Sequence, residues 1–145
     1  MSVGSRGAIG EKGDAAQLLA FKMGDRECAL SLENVVQIVR VVSRTQLQAP
    51  DFVEGMFNLR GKSIPVVDLR KQWGLPAKAC EPGTLLLITR TNSRVMALIV
   101  DAVSEVLNLP LAYIEPRPGD VAHVSAVGRL DDRTVFILDP NTLGT

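Results

Sequence analysis

The chain is a succession of short apolar segments separated by polar turns. Residues 18–21 and 28–32 are two such segments, and the Gly24-Asp25 pair between them favours a β-hairpin turn. β-Branched residues then dominate positions 35–42. Segments of roughly four to eight residues that are rich in β-branched side chains indicate strands rather than helices. The pattern therefore predicts an all-β protein.

A similar arrangement returns in the second half of the chain. Residues 85–89 and 95–100 form a second predicted hairpin, with its turn at Asn92-Ser93. Residues 134–138 predict a final strand. Residues 101–109 are ambiguous, because their apolar spacing fits one face of a helix while their β-branched content fits a strand.

The segment from residue 55 to 69 predicts a turn followed by a strand. Arg60 lies at the tip of that turn, and Gly61 can adopt the positive φ that a tight turn demands. Short helical turns are predicted on either side, at residues 50–54 and 69–73.

The second half of the chain repeats the first. A shift of 71 residues places residues 59–68 over 130–139, so that Asp131 stands at the place of Arg60. This alignment and a second one, at a shift of 68 residues, follow the same order along the chain. Together they indicate a duplicated unit of about five strands, and such small units usually close into barrels. We expect barrels at about 18–80 and 84–140 that share a core, with an exchange of terminal strands left open. A shift of 68 residues gives identical pairs at Leu18/Leu86, Leu19/Leu87, Arg26/Arg94, Ala29/Ala97, Leu30/Leu98 and Val35/Val103.

Composition and charge narrow the classes of function. Apolar residues make up 46% of the 145 residues and the formal net charge is zero, so there is no basic surplus for nucleic acid. No apolar run is long enough to span a bilayer. Residues 1–16 predict a disordered tail without a signal-peptide core. Cys28 and Cys80 are expected to be reduced thiols in a cytosolic protein, with Cys28 in the core.

The sequence contains few of the residues and motifs that are typical of a catalytic site. The single histidine, His123, lies in a loop without obvious partners and is expected to be structural or exposed. The pair Asp131-Asp132 is explained by a turn, since Asp favours turns. No nucleophile elbow, zinc motif or phosphate loop is present. We expect no catalytic residue, no metal and no cofactor.

Arg60 has two interpretations. A guanidinium between apolar neighbours either pairs with a carboxylate of the same chain or takes part in a binding site. The candidate carboxylates are Glu33, Glu54 and Asp68. The valines of residues 35–42 and 103–107 exceed what one strand face can bury, so part of them is expected to form an exposed apolar groove for a protein partner.

Residues 58–61 (Asn-Leu-Arg-Gly), followed by residues 64–69 (Ile-Pro-Val-Val-Asp-Leu), resemble the CheW-like family of bacterial chemotaxis adaptors. The likeness extends through residues 99–107 and covers about residues 18–143. It implies two Src-homology-3-like five-stranded barrels in a CheW-like domain at residues 17–145. It also implies a cytoplasmic scaffold, recruited to membrane receptor arrays without inserting into the membrane, that couples chemoreceptor tips to the regulatory domain of a CheA-type histidine kinase. Further contacts with other CheW-like domains would close rings.

The resemblance also carries site residues over by position. The receptor-binding groove and its support are implied at Val35, Gln37, Gly55, Asn58, Arg60 and Val106. The kinase-facing side is implied at Val41, Val42, Lys62 and Ser63.

Two departures from the family pattern leave alternatives open. Gln37 stands where many members have a Glu that pairs with the motif Arg, and an amide cannot neutralise Arg60. Lys62-Ser63 replaces residues that are often apolar. The chain could therefore serve a non-chemotactic array that governs pili or surface sensing. An alternative from another class is a β-barrel that binds a small ligand or an oligonucleotide.

Overall fold

A computed structural model describes residues 11–12, 14–42, 47–48, 55–76, 81–92, 94–117 and 121–143. Its one α-helix, α1, spans Leu69–Gln72, and short 3₁₀ turns span Leu32–Asn34, Leu111–Tyr113 and Pro140–Thr142. The remaining elements are strands: β1 (Glu11–Lys12), β2 (Ala15–Met23), β3 (Arg26–Ser31), β4 (Val35–Arg40), β5 (Leu47–Gln48), β6 (Met56–Leu59), β7 (Lys62–Val67), β8 (Leu85–Arg90), β9 (Val95–Val100), β10 (Ala102–Pro110), β11 (Ile114–Pro116), β12 (Val124–Leu130) and β13 (Arg133–Leu138). The predicted all-β class is confirmed.

The strands form two curled sheets, each with five longer strands and one or two short ones. The first barrel has the order β4-β8-β9-β7-β6-β5. The second has the order β1-β2-β3-β13-β12-β11, with β10 paired to β2. Each sheet thus contains strands from both halves of the sequence, and the hydrogen-bonded units do not divide at residues 80–84. In each half the leading hairpin is exchanged for that of the other half.

The strand registers confirm the duplication. Both outer strands, β4 and β10, carry a bulge at the same place, between Val35 and Gln37 and between Val103 and Glu105. The parallel pairs β7·β9 and β13·β3 are equivalent as well. Because bulges and registers recur with their neighbours, the repeat is a repeat of structure and not only of apolar composition.

Three apolar clusters explain the continuous apolar runs of the sequence. One cluster fills each barrel, and the third lies between them. On β9, Ala97 and Ile99 point into the first barrel, whereas Met96, Leu98 and Val100 join the shared cluster. A strand that is buried on both faces has no polar alternation. The predicted shared core between two barrels is therefore present.

The ambiguous segment at residues 101–109 is resolved as strand β10. Leu107 and Leu109 point into the second barrel, while Val106 and Asn108 alternate with them on the exposed face. Pairing with β2 over most of its length favours the strand over the helix, since a helix would leave the edge of β2 unpaired.

The structured region begins earlier than the predicted end of the tail at residue 16. Strand β2 starts at Ala15, and Glu11–Lys12 pairs with its first residues. Ala16 is fully buried in the second barrel, where its small side chain fits opposite Leu109. The prediction of disorder was therefore wrong for residues 11–12 and 14–16, and residues 1–10 lie outside the described part of the chain.

The predicted helical turn at residues 69–73 is confirmed as α1, with Asp68 as its N-cap. The one predicted at residues 50–54 lies outside the described residues, as does Cys80. Cys28 is buried, and burial raises the pKa of its thiol to about 12. Within the described ranges, no helix has the length and apolar character needed to cross a membrane.

Candidate functional site

The Arg60 turn joins β6 to β7 through two residues of positive φ. Leu59 pairs with Lys62, and the φ angles of Arg60 and Gly61 are 51° and 87°. The Asn58 Oδ1 atom accepts a hydrogen bond of 2.9 Å from the Gly61 amide, which closes the turn. This geometry holds the Arg60 side chain on the surface, where it is exposed. The predicted positive φ of Gly61 is confirmed.

An open pocket of about 470 Å³ lies beside this turn at one end of the first barrel. Gln37 reaches it from β4, while Arg60, Lys62 and Ser63 border it from the turn. Three of the ten lining residues are basic and none is acidic. The pocket is lined by Val36, Gln37, Leu59, Arg60, Lys62, Ser63, Ile64, Ile88, Arg90 and Val95.

The structure excludes one of the three carboxylates that were suggested as partners of Arg60. Asp68 is fully buried and binds Arg70, so the suggestion that it pairs with Arg60 was wrong. Glu33 is exposed and makes no salt bridge with Arg60, and Glu54 is outside the described residues. Within the described ranges, Arg60 takes part in no salt bridge. Its side chain borders the pocket.

A cluster around Arg70, in which Arg70 and Asp68 are buried and Asp101 is exposed, connects the two barrels. Arg70 donates to both oxygens of Asp68, at 2.9 and 3.0 Å, and its Nη1 atom lies 2.7 Å from Asp101 Oδ1. The other oxygen of Asp101 accepts from the Gly24 amide in the β2–β3 turn. The hydrogen bonds to Asp68 raise the pKa of Arg70 above its ordinary value. This cluster was not predicted from the sequence, although the spacing of Asp68 and Arg70 about a helix N-cap was its signal.

The residues implied for the receptor groove do not all meet at the pocket. Gln37 and Arg60 line it, and Asn58 supports its turn. Gly55 immediately precedes β6, and its carbonyl accepts a hydrogen bond of 2.8 Å from the Val66 amide. Val35 is half-buried against the shared core. Val106 lies on β10 of the other barrel, opposite Leu19, and is 50% exposed.

The residues implied for the kinase side lie at opposite ends of the first barrel. Gln37, Ile88, Ala97 and Val66 are aligned across the sheet. Val41 lies four residues beyond this line, whereas Lys62 lies four residues before it on a strand of the same direction. At about 3.3 Å per residue, the two positions differ by roughly 26 Å along the strands.

The side chain of Val41 is 1% exposed and packs inside the first barrel. Its side chain therefore supports the barrel from inside, and the kinase-facing role implied for this position stays a prediction. Val42, the next residue, is 76% exposed. The bulge after Val35 sets the phase of β4, so that Gln37, Val39 and Val41 point inward.

The expected exposed apolar surface includes Val36, one of the valines of residues 35–42, and also Ile38, which was not predicted. Val36 and Ile38 are 41% and 44% exposed on the outer face of β4, in line with Val42. Strand β4 ends its sheet and pairs with β8 alone among the described strands. An exposed apolar row on an edge strand is typical of a protein-binding surface. Strict alternation back from Val42 was the signal that would have found these residues.

His123 is half-buried and has two side-chain partners that were not predicted from the sequence. Its ring nitrogens lie 2.9 Å from Thr142 Oγ1 and 2.7 Å from Gln72 Oε1, so it ties α1 to the C-terminal turn. Its pKa is lowered, chiefly by burial. Trp73 makes a second tie here, through a hydrogen bond from Nε1 to the Ala122 carbonyl. Over the described residues, no group of three or more His, Cys, Asp or Glu side chains could hold a metal ion.

Fold and site together define an all-β protein of two interlocked Src-homology-3-like barrels, with a basic pocket at one barrel end and exposed apolar residues on an outer strand. Residues 17–145 match the family described as the CheW-like domain. The chain belongs to this family of chemotaxis scaffold and adaptor proteins.

Individual relatives agree with that assignment. The chain is 30% identical over 130 residues to chemotaxis protein CheW of Helicobacter pylori, which covers 86% of this chain and 79% of the relative. It is 37% identical over 109 residues to chemotaxis protein CheW of Rhizobium meliloti, with coverages of 73% and 68%. The crystal structure of scaffolding protein TtCheW from Thermoanaerobacter tengcongensis matches with a TM-score of 0.71 at 33% identity, covering 84% of this chain and 87% of that one.

Proposed function

We propose that this chain is a cytoplasmic adaptor that couples the tips of chemoreceptors to the regulatory domain of a CheA-type histidine kinase. It acts by binding alone. Membership of the CheW-like family supports the class of function, because its named members include chemotaxis proteins and a scaffolding protein. Receptors and kinase are the partners that the family resemblance implies.

The observation that carries the proposal is the convergence of Gln37 and the Arg60 turn on one open pocket. These elements are distant in sequence, and both were implied as parts of the receptor groove. Val106 on the second barrel adds an exposed apolar side chain. Apolar contacts surrounded by polar groups are the usual anatomy of a protein interface, and the pocket lining by itself combines both kinds of side chain.

The two barrels give the adaptor a fixed geometry. The Arg70 cluster and the shared apolar core leave the barrels little freedom to rotate against each other. A receptor bound at one surface and a kinase domain bound at another are then held at a constant separation. Kinase control would follow from this positioning, since an adaptor of this kind contributes binding energy and orientation rather than chemistry.

A capture experiment tests the proposal. The tagged full-length chain is incubated with a receptor cytoplasmic fragment and, separately, with a CheA regulatory domain, both from the same genome. We expect both to be retained. Failure to retain either partner would overturn the adaptor function. Retention only of partners encoded beside pili or surface-sensing genes would instead support the non-chemotactic array, which the replacement of the family Glu by Gln37 favours.

A matched pair of variants locates the receptor contact. Val106→Asp places a charge on the exposed face of β10 and should weaken receptor capture at least about tenfold, because a central apolar contact is lost. Asn108→Asp adds the same charge two residues along on the same exposed face and should change capture little. Equal effects of the two substitutions would remove Val106 from the groove.

A further inference from the structure

The internal duplication provides a comparison between the two barrel ends. Three positions of the first barrel, Gln37, Lys62 and Val95, line the pocket together. Their equivalents in the second barrel are Glu105, Arg133 and Glu27. The equivalence follows from the registers: Gln37 opposes Ile88 as Glu105 opposes Ala20, and Lys62 opposes Leu59 as Arg133 opposes Leu130.

In the second barrel these three positions form an ion network. Arg133 donates from Nε to Glu27 at 3.0 Å and makes a second, shorter contact through Nη2. Its Nη1 atom lies 3.0 Å from Glu105. The hydrogen bond from Arg133 lowers the pKa of Glu27, and the same contact raises that of Arg133. The cation at this end is therefore neutralised by two carboxylates of the same chain.

The first barrel has a cation but no carboxylates at these positions. Gln37 and Val95 replace the two glutamates, so Lys62 has neither of the acids that its counterpart binds. Arg60 and Arg90 add two more positive charges around the pocket. Among the residues that the structure describes, Arg60, Lys62 and Arg90 form no salt bridge. The floor is apolar, with Ile64 and Ile88 almost fully buried.

We propose that this pocket binds an acidic segment of a partner protein, which inserts one apolar side chain against Ile64, Ile88 and Val95 and places carboxylates on Arg60, Lys62 and Arg90. The inference rests on the proposed adaptor function, for which it names the chemistry of one partner surface. In effect the partner supplies in trans the carboxylates that Glu27 and Glu105 supply within the second barrel.

The volume and the charges favour a protein segment over other occupants. A pocket of about 470 Å³ has the size of an ordinary ligand pocket and can hold an inserted side chain. A polyphosphate backbone would require an extended basic surface, and the net charge of the chain is zero. Three cations around an apolar floor instead match a short amphipathic sequence with acidic neighbours, through charge complementarity.

Titration of the isotope-labelled full chain by NMR tests the inference. The probe is the acetylated and amidated pentapeptide Glu-Glu-Leu-Glu-Glu. We expect the largest amide shifts at residues 59–64, 88 and 95, and a weaker affinity when the central Leu is replaced by Ser. The peptide Lys-Lys-Leu-Lys-Lys should give no saturable shifts. An oligothymidylate that binds the pocket as well as the acidic peptide would overturn the assignment to a protein segment.

Two substitutions test the electrostatic argument. Gln37→Glu reproduces Glu105 of the second barrel and should weaken peptide binding about fivefold by occupying the cations internally, while stability stays equal or rises. Lys62→Glu should weaken it at least as much. The controls Lys71→Glu on α1 and Asn108→Asp on β10 lie outside the pocket lining and should leave the affinity unchanged.

The outcomes separate this inference from the adaptor function. If no saturable shifts appear at the pocket at millimolar peptide while the chain still captures receptor and kinase, the acidic-segment site is wrong and the adaptor function stands. If the peptide binds and Gln37→Glu weakens it, but neither partner is captured, the pocket assignment stands without the adaptor function. Equal effects of Gln37→Glu and Asn108→Asp on peptide affinity would also overturn the inference.

Discussion

Arg70 and Asp68, two residues apart, meet in a bidentate ion pair whose carboxylate is fully buried and also caps α1. Because Asp101 binds the same guanidinium, one side chain connects α1, the β9–β10 link and, through Gly24, the β2–β3 turn. Removing the cation leaves Asp68 charged and buried without its partner. The cluster should therefore be essential to the fold, independently of partner binding.

Arg70→Met is expected to lower the free energy of unfolding by about 3–5 kcal/mol, the usual cost of breaking a buried pair from one side. Urea denaturation followed by Trp73 fluorescence measures it. Arg117→Met is the control, since the Arg117–Glu115 pair is exposed and should be worth less than about 1 kcal/mol. A loss from Arg70→Met no larger than that of the control would show that water replaces the cluster without cost.

Substitutions at the tips of two equivalent turns should separate the effect on stability from the effect on partner binding. Arg60 and Asp131 occupy equivalent tips with φ angles of 51° and 55°. Left-handed backbone costs a long side chain about 1–2 kcal/mol but is tolerated by Asp. Arg60→Gly should therefore raise the free energy of unfolding by about 1 kcal/mol relative to Arg60→Ala, whereas Asp131→Gly should change it little relative to wild type.

Receptor capture by these variants should not follow their differences in the free energy of unfolding. Arg60→Gly and Arg60→Ala both remove the guanidinium, so both should weaken capture to the same extent, and Asp131→Gly should leave it intact. Capture measured alongside the unfolding curves decides the matter. If the two Arg60 variants differ in capture as they differ in stability, Arg60 acts only through the shape of its turn.

The Glu27–Arg133 pair predicts an acid-sensitive part of the stability. The hydrogen bond from Arg133 lowers the pKa of Glu27 below its ordinary value of about 4.5, so the unfolded chain binds a proton more readily than the folded one. The stabilisation is therefore complete above about pH 4.5 and is lost as the pH falls through the folded-state pKa. Glu27→Gln should cost about 1–2 kcal/mol at neutral pH and progressively less in acid.

Unfolding curves at a series of pH values between neutrality and acid measure this difference. The double variant Glu27→Gln/Arg133→Met should show the same flattened acid limb as the single variant, because both lack the pair. A difference between wild type and Glu27→Gln that stays constant down to strongly acidic pH would contradict the assignment.

Much of the fold follows from local sequence patterns. The apolar runs of β2, β3, β8 and β9 are long because each strand is buried on both faces, and the duplication was visible because equivalent strands keep equivalent cores. Which side chains of β4 point into the barrel could not be predicted in the same way. A bulge after Val35 decides which valines point inward, and bulges depend on pairing with another strand rather than on local composition.

The candidate site shows the same limit. The Arg60 turn was predictable because Asn58 and Gly61 carry local turn chemistry. The partner of Asp68 was not, since Arg60 and Arg70 are both near it in sequence and only the start of α1 brings Arg70 onto its carboxylate. The pocket itself depends on a long-range register between β4 and the β6–β7 turn, which no short sequence window contains.

The exchange of leading hairpins determines which contacts can form while the chain is being synthesised on the ribosome. The first barrel is contiguous from Val35 to Val100 and can close once β9 has emerged. The β2–β3 hairpin is made earlier, yet Cys28 meets its parallel neighbour Phe136 only after β13 has been synthesised. Between the completion of β9 and the synthesis of β13, the nascent chain therefore carries a closed first barrel and an apolar hairpin whose β3 edge is unpaired, the kind of surface that chaperones bind.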